Sequence, residues 1–516
     1  MSRRALVPGL VGLLSAAVAL GVAELATAFT RPEAFPVSAV GAVVIDHVPA
    51  PVKDFAIATF GTSDKLALII GILVLLALFG FAIGVAARRS LPLGVAGVAL
   101  FGAIGVAAAA VRPDGRTADV LPSALGAAAG MIALALLSGT APRGTGTAPR
   151  TAGAGRRPME PAVGTDRRSF LLAGMGVGAL ALASGGVGRV LVDQSRVASW
   201  RSAVHLPKPA HPAPPLPHGV HPDVPGLASF VTPNRSFYRV DTALVLPHVS
   251  PGKWTLRIHG MVDREVELTF DELLRRPMIE RDITLTCVSN EVNGGLVGNA
   301  RWLGFPLADL LREAGVHRDA DQILSRSSNG WTCGTPTAVV MDGRDAMLAV
   351  GMNGQPLPVA HGFPARMVVP GLYGYVSATK WVVDIELTRF ADARAYWAQR
   401  GWAVKGPIHT MSRIDRPLSD VRAGRVAVAG VAWAQHRGIE RVEVRVDDGP
   451  WHDARLAAVP SIDTWRQWVY EWDARPGTHR LQARATDRTG ATQTPLESPT
   501  VPDGATGWPT VHVTAT

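Results

Sequence analysis

The chain has 516 residues, long enough for two or three domains, with 51 Lys+Arg against 42 Asp+Glu. Its 47% hydrophobic content is ordinary but uneven: up to Trp200 there are 17 basic and 10 acidic residues, and from Arg201 onward 34 and 32, so +7 of the net +9 lies in the first part. Such a surplus belongs to a membrane protein with arginine-rich loops and gives no support to nucleic-acid binding.

Residues 1–139 hold four apolar windows of about 20 residues, Ala5–Phe29, Leu66–Ala87, Leu91–Val111 and Val120–Ser138, each long enough to span a bilayer as a helix. Arg3 and Arg4 precede the first, Arg88 and Arg89 separate the second from the third, and Arg143, Arg150, Arg156 and Arg157 follow the fourth. All fall on one side if the N-terminus is cytoplasmic, although the outer loops also hold Arg31, Lys53, Lys65, Arg112 and Arg116. The one histidine before His205 is His47, in an outer loop, so the bundle has no pair of axial ligands and no haem is expected there. Paired intramembrane charges and broken polar stretches are missing, which disfavours a transporter.

Residues 140–168 form a Gly/Thr/Ala/Pro linker without apolar period, expected to be cytoplasmic and disordered. The run Thr165–Leu172, TDRRSFLL, resembles a twin-arginine export signal at Arg167 and Arg168, and it announces a fifth apolar helix within residues 169–192. That signal is read by a receptor on proteins exported already folded, and no small-residue cleavage site follows it. Everything after Trp200 is therefore expected outside the cytoplasm, carried by a multi-pass membrane protein. Residues 193–230 are proline-rich, with eight prolines between Arg201 and Gly226, and are expected to be a stiff spacer. Proline spacing argues against a metal site at His205, His211, His218 and His221.

From 231 to 410 short strands (Trp254–His259, Val266–Phe270, Ile283–Val288, Met367–Val369, Trp381–Leu387) mix with helices at Phe270–Arg275 and Leu307–Ala314, an α+β pattern. From 411 to 503 apolar alternation with Asp-Asp-Gly and Pro-Gly turns predicts strands only, a β-sandwich. The chemistry centres on TLTCVSNEVNGGLVGNARWLGF, Thr284–Phe305. Cys287 ends an alternating strand (Ile283, Leu285, Cys287) and faces a pliable loop at Gly294, Gly295 and Gly298. By composition alone Cys287 reads as a small buried hydrophobe. The second cysteine, Cys333, either pairs with Cys287 or is a free thiol.

The pattern C-x-x-N, a glycine-rich loop, then Ala300-Arg301-Trp302-x-Gly304-x-Pro306-Leu307, together with MNGQPLPVAHGFPARMVVPGLYGYVSATKW (Met352–Trp381), resembles the molybdenum-cofactor domain of the sulfite oxidase family. The likeness covers about Val231–Pro495. It implies a sulfite-oxidase-like α+β molybdopterin domain followed by an immunoglobulin-like dimerisation domain, both behind the transmembrane anchor, and hence a possible homodimer. It also implies a molybdenum-molybdopterin cofactor, ligated through Cys287, that performs two-electron oxygen-atom transfer. A soft thiolate suits that metal. His361, Arg366, Ala378, Thr379 and Lys380 match the family's cofactor-binding positions. A forked guanidinium and a point-charge ammonium both suit phosphate. In TPNRSFYRVDTAL, Phe237 and Tyr238 match a position that packs on the cofactor, with Asn234, Arg239 and Ser327 as further contacts.

Two departures bear on substrate. Arg239 is followed by Val240 and Asp241 where sulfite oxidases carry R-N-H, and the tyrosine beside their oxyanion aligns with Trp331. An indole can donate one hydrogen bond but is no acid. With Cys287, Arg301 and Trp331 as catalytic candidates, a small oxyanion to be oxidised and a sulfoxide to be reduced both stay open. The sulfoxide-reductase branch carries asparagine where this chain has His361. Electrons must pass to or from a separate carrier, since no C-x-x-C-H motif or haem domain is fused. A metal-free cell-surface binding protein is the alternative of a different class.

Overall fold

The computed structural model describes residues 3–49, 64–112, 115–140 and 194–516, with scattered positions between 52 and 59 and between 175 and 186. The linker at 141–168, the twin-arginine motif and most of the fifth apolar segment lie outside the described residues. The chain divides into two compact units, Met1–Arg196 with Thr242–His248, and Val197–Asp241 with Val249–Thr516.

In the first unit, α1 (Arg3–Thr27), α2 (Pro36–His47), α3 (Asp64–Arg89), α4 (Leu91–Ala110) and α5 (Leu121–Thr140) follow one another. Four stretches, Leu6–Thr27, Lys65–Arg89, Leu91–Ala110 and Thr117–Gly139, are long and apolar enough to cross a membrane. Small residues set the packing, because they let helix backbones approach closely. A methyl group on Gly12 would lie 2.7 Å from the Gly84 backbone nitrogen, and one on Gly84 the same distance from that of Gly12. The helix α2 was not foreseen: at 12 residues it is too short to span.

The second unit carries two folds. Strands β1 (Thr255–Gly260), β2 (Val266–Thr269), β3 (Ile279–Thr286), β4 (Val297–Pro306), β5 (Gln322–Ser327), β6 (Thr332–Pro336), β7 (Met347–Met352), β8 (Gln355–Pro356), β9 (Arg366–Val368) and β10 (Val382–Thr388) build two sheets. One runs β2-β1-β10-β5-β6, with β1 and β10 parallel; the other runs β3-β4-β7-β8, with β9 added against β7. Helix Phe270–Leu274 opens on a capping box, Thr269 with Glu272, and helix Leu307–Ala314 stops at Gly315 with φ 70°. A continuous core containing Trp254, Leu256, Ile258, Phe305, Leu310 and Ile385 fills the space between these elements.

Beyond it, β11 (Met411–Arg416), β12 (Gly424–Trp433), β13 (Ile439–Val446), β14 (His452–Asp453), β15 (Arg455–Leu456), β16 (Arg466–Ala474), β17 (Gly477–Asp487) and β18 (Thr510–Ala515) form two four-stranded antiparallel sheets, β11-β12-β16-β15 and β14-β13-β17-β18. Val428, Trp468, Val442 and Leu481 from both sheets share one core. This β-rich region grips the strand that leads to Cys287. Thr284 Oγ1 accepts from the Trp465 backbone N–H at 2.7 Å and donates to Asn299 Oδ1 at 3.0 Å, while Gln435 Nε2 donates to Thr284 O and Thr286 Oγ1, both at 3.0 Å.

The proline-rich segment is no free spacer. The Ala210 N–H donates to Met278 O at 2.8 Å, the Glu280 N–H to His211 O at 2.9 Å, and the Ala458 N–H to Gly219 O at 3.2 Å. Proline keeps the segment extended, as its composition predicts, and an extended backbone with free carbonyls docks readily on a strand edge. Among the described residues no group of His, Cys, Asp and Glu forms a metal cluster.

Thr284 is fully buried. Thr284→Val should lower the unfolding free energy by about 1–3 kcal/mol, since it strands the Trp465 N–H and Asn299 Oδ1; chemical denaturation at constant m-value measures this.

Candidate active site

Cys287 lies just past β3, its N–H donating to Leu296 O at 2.9 Å, so the strand pairing runs one residue beyond Thr286. The C-x-x-N spacing has a local cause. Asn290 turns back to accept the Leu296 N–H on Oδ1 at 2.6 Å, its own N–H bonds Cys287 O at 3.1 Å, and the loop closes around the thiol. Cys287 and Cys333 are both free and buried. Cys333 sits on β6 beside Thr335, and burial pushes its thiol up to about 11. Burial also raises the Cys287 thiol, against backbone and side-chain hydrogen bonds from Ser289 and the charge of Lys380.

The N-terminal arm packs beside it. Phe237 stacks on Tyr238 with ring centroids 5.2 Å apart and meets Trp302 and His361 edge-on at 5.8 and 5.5 Å. Gly298 makes this possible, because a Cβ there would stand 2.9 Å from the Phe237 ring. Burial first, then Cys287, push the Tyr238 phenol far above its usual range, with Arg366 opposing. A neutral phenol thus lies within electrostatic reach of both the thiol and the guanidinium. Asn234 O accepts from or faces His361 Nε2 at 3.1 Å, and Asn234 Oδ1 accepts from Asn353 Nδ2 at 2.8 Å. Asn353, in the left-handed turn after β7 with φ 53°, carried no sequence signal beyond the Asn-Gly turn itself.

Arg366 and Lys380 face each other across an antiparallel bridge, and the Met367 N–H donates to Thr379 O at 2.9 Å. Gly362, at φ 107°, lets the HGFPAR turn pass over that bridge: a Cβ there would be 3.0 Å from Arg366 Cβ and 3.2 Å from Lys380 Cα. The Arg366 side chain, 5% exposed, donates only to carbonyls, those of His361 at 3.2 Å and of Met367 and Ala378 at 3.4 Å, and lies 5.1 Å from the Trp302 ring. Burial lowers it to about 10. Lys380, lowered to about 8 by burial, gives Nζ to Asp241 Oδ2 at 2.7 Å, and Arg239 Nε shares that oxygen at 2.8 Å. Burial and the Arg366 charge bring His361 down to about 4. Its ring is therefore neutral.

The remaining predicted residues divide. Ser327 ends β5, and Trp331 stands in the turn to β6; the Ser327 and Ser328 hydroxyls are buried without a partner. The Ala378 carbonyl holds Arg366, whereas the Thr379 hydroxyl turns away to Ser325 at 2.7 Å. Arg301 is not brought to Cys287. It pairs in register with Asp282, whose carboxylate takes Nε at 3.0 Å and Nη2 at 2.8 Å. Asp282 is five positions before Cys287, roughly 16 Å at about 3.3 Å per residue, and of opposite strand parity.

These residues suit a phosphorylated pterin. A buried guanidinium without a carboxylate, two orphaned serine hydroxyls and a free thiol are what a bound polyanionic cofactor with a soft metal would complete.

Residues 243–397 match the family model of the oxidoreductase molybdopterin binding domain. Mitochondrial sulfite oxidase of Drosophila melanogaster is 29% identical over 344 residues, 57% of this chain and 59% of that protein. The human enzyme is 29% identical over 302 residues, 49% of this chain and 55% of its own length. This chain thus spans little more than half the length of these curated relatives. Uncharacterized oxidoreductase YuiH of Bacillus subtilis is 31% identical over 154 residues, 30% of this chain and 74% of that protein. The crystal structure of the sulfane dehydrogenase SoxCD from Paracoccus pantotrophus aligns with a TM-score of 0.46 at 27% identity, covering 52% of this chain and 75% of that one. The protein is a molybdopterin-binding oxidoreductase, and the chain belongs to the sulfite oxidase family.

A histidine held neutral in the fold but free to protonate when unfolded makes stability depend on pH. The contribution of His361 is complete above its ordinary 6.5 and is lost as pH falls through about 4. Thermal melts of cofactor-free protein should show a flatter acid decline for His361→Gln than for wild type over that window.

Proposed function

We propose that this protein is a membrane-anchored oxidoreductase whose catalytic domain works outside the cytoplasm and transfers oxygen atoms at a molybdenum ligated by Cys287. The observation that carries the reading is Arg366: a buried guanidinium bonded only to carbonyls, which acts on the same buried Tyr238 phenol as the free Cys287 thiol, is a grip awaiting an anion. When bound, the cofactor supplies a two-electron redox centre with exchangeable oxygen. Arg366 and Lys380 would hold its phosphate, neutral His361 and the Ser327 hydroxyl would orient the pterin, and Phe237 with Tyr238 would wall the site against water. Trp331, at the β5–β6 turn, would stand where substrate enters.

Sulfite oxidation is the activity borne by the curated relatives and is the first reading of the reaction here. Reduction of a sulfoxide is favoured by a specific feature. Arg239 and Lys380 share Asp241, and Arg301 is taken by Asp282, so few converging charges are left for a dianion. Electrons would pass to or from a separate carrier. The four apolar helices support the membrane anchor, and Arg167 and Arg168 support folded export. The two packed four-stranded sheets after Met411 support an immunoglobulin-like domain suited to pairing two copies.

Cys287→Ser is expected to reduce oxygen-atom transfer to background while the protein is still exported, and retained turnover would sink the ligand assignment. Replacing both Arg167 and Arg168 by Lys should leave the catalytic domain shielded from protease added outside spheroplasts, and undiminished digestion would remove the export assignment.

A further inference from the structure

The segment after β10 carries a line of rings that the oxygen-transfer chemistry does not use. Tyr375 meets Trp402 with ring centroids 5.9 Å apart, Trp402 meets Trp397 at 6.1 Å, and Trp397 meets Tyr396 at 5.0 Å. The line runs outward: Tyr375 is buried, and Trp402, Trp397 and Tyr396 are each partly exposed. Its inner end adjoins the proposed site. Gly374, next to Tyr375, has Thr286 O and the Tyr238 hydroxyl 3.9 Å from where a Cβ would stand, and a few residues on the Ala378 carbonyl holds Arg366. The Tyr375 hydroxyl donates to Ala403 O at 2.7 Å, which fastens the outer loop to the inner ring.

At the surface Tyr375, Arg394, Trp397, Ala403 and Val404 line one depression of about 10 Å³, room for no more than a water and far below the roughly 300–1,000 Å³ of small-molecule sites. What remains is a face. Its centre is apolar: Val404 is 42% exposed, and the Ala403 N–H donates to Pro502 O at 2.9 Å, which brings Val501, 47% exposed, alongside. Its rim is basic. Arg394, Arg400 and Lys405 are the charged residues between Ala393 and Lys405. Asp392, just before them, turns to Arg389 at 3.6 Å, and Asp503 is the carboxylate whose charge reaches the Tyr375 phenol. A small apolar centre within a charged rim is the form of a transient redox encounter.

We propose that this face docks an acidic one-electron carrier protein, and that the rings from Tyr375 to Tyr396 bridge the electron path between that carrier and the active site. The proposal rests on the cofactor reading above. Electron tunnelling through saturated packing falls off steeply with distance, and rings in contact shorten the saturated gaps. The lack of a pocket calls for a protein rather than a small molecule, and the basic rim calls for an acidic one. The balance closes with two carriers per turnover: substrate and water give oxygenated substrate and two protons, and each carrier takes up one electron. Sulfoxide reduction runs the same equation backwards.

The test titrates the cofactor-loaded full chain in detergent micelles calorimetrically with plastocyanin, an acidic copper carrier, and separately with cytochrome c, a basic haem carrier. Plastocyanin should bind saturably at low ionic strength, and Arg394→Glu combined with Lys405→Glu should weaken it about tenfold or more. Cytochrome c should bind more weakly than plastocyanin. Protein reduced with dithionite, freed of it and mixed with oxidised plastocyanin then reads the bridge. Transfer should be largely lost in Trp402→Leu and return in Trp402→Phe, with plastocyanin affinity and oxidation by a small dye unchanged in both. No binding, indifference to the paired Glu substitutions, or equally tight cytochrome c would each overturn the docking face, and full transfer in Trp402→Leu would overturn the bridge. Wild-type protein that takes up no molybdenum would instead overturn the cofactor reading beneath both.

Discussion

A guanidinium that is 5% exposed and has no carboxylate beside it is the constraint on which the catalytic half of this molecule turns. Taking such an ion out of water costs several kcal/mol even after relaxation, and three carbonyl bonds of 3.2–3.4 Å with one aromatic face offset part of it. The sequence around Arg366 serves that placement. Gly362 clears the turn, the bridge to Lys380 fixes the strand, and Trp302 provides the face. A group that is costly in the empty protein, if repaid by a bound polyanion as proposed, would couple folding to cofactor capture, because anything that binds only the folded state stabilises it.

Positioning the thiol is a second problem, solved at a distance. Cys287 follows a strand whose side chains are buried on both faces, so packing alone would permit a register slip. Polar bonds forbid it: Thr284 is fixed to Trp465 and Asn299, and Gln435 reads both Thr284 and Thr286. Trp465 and Gln435 lie in the β-rich region, which would give that region a task at the proposed site whether or not it also pairs two copies of the chain. Buried hydrogen bonds of this kind add modest stability each but penalise misalignment strongly, since every unmade bond leaves a desolvated group.

Local chemistry was legible in the residues and long-range pairing was not. The C-x-x-N loop and the HGFPAR turn bond within a few residues of their own backbone, so residue type and spacing were enough to single them out, whereas Phe237 meets Trp302 and His361 far along the chain. Helices of 20 or more apolar residues were equally plain. Arg301 misled because nothing in its own segment says that Asp282 stands opposite in β3, on the face away from Cys287. The proline-rich segment misled in the same way: composition dictated an extended chain, while docking depended on edges such as Met278–Glu280 elsewhere in the sequence. Asn353 escaped notice because it acts on Asn234, more than a hundred residues away, and the reach of Asp241 to Lys380 is as long.

The same distinction bears on substrate. An inventory of cations credits the site with Arg239, Arg301, Arg366 and Lys380, yet electrostatics depends on the cations that keep a net field. Asp282 quenches Arg301 through two bonds, and Asp241 divides itself between Arg239 and Lys380. Of these four only Arg366 retains its charge without a carboxylate, and it is bound to the His361 and Ala378 carbonyls. A small dianion would have to draw Arg239, 39% exposed, away from Asp241 and bear the desolvation alone. A neutral sulfur compound would face no such demand. If Cys287 is the centre, as proposed, the charges left unpaired around it would favour a polar substrate over a charged one, in contrast to what the count of basic residues suggests.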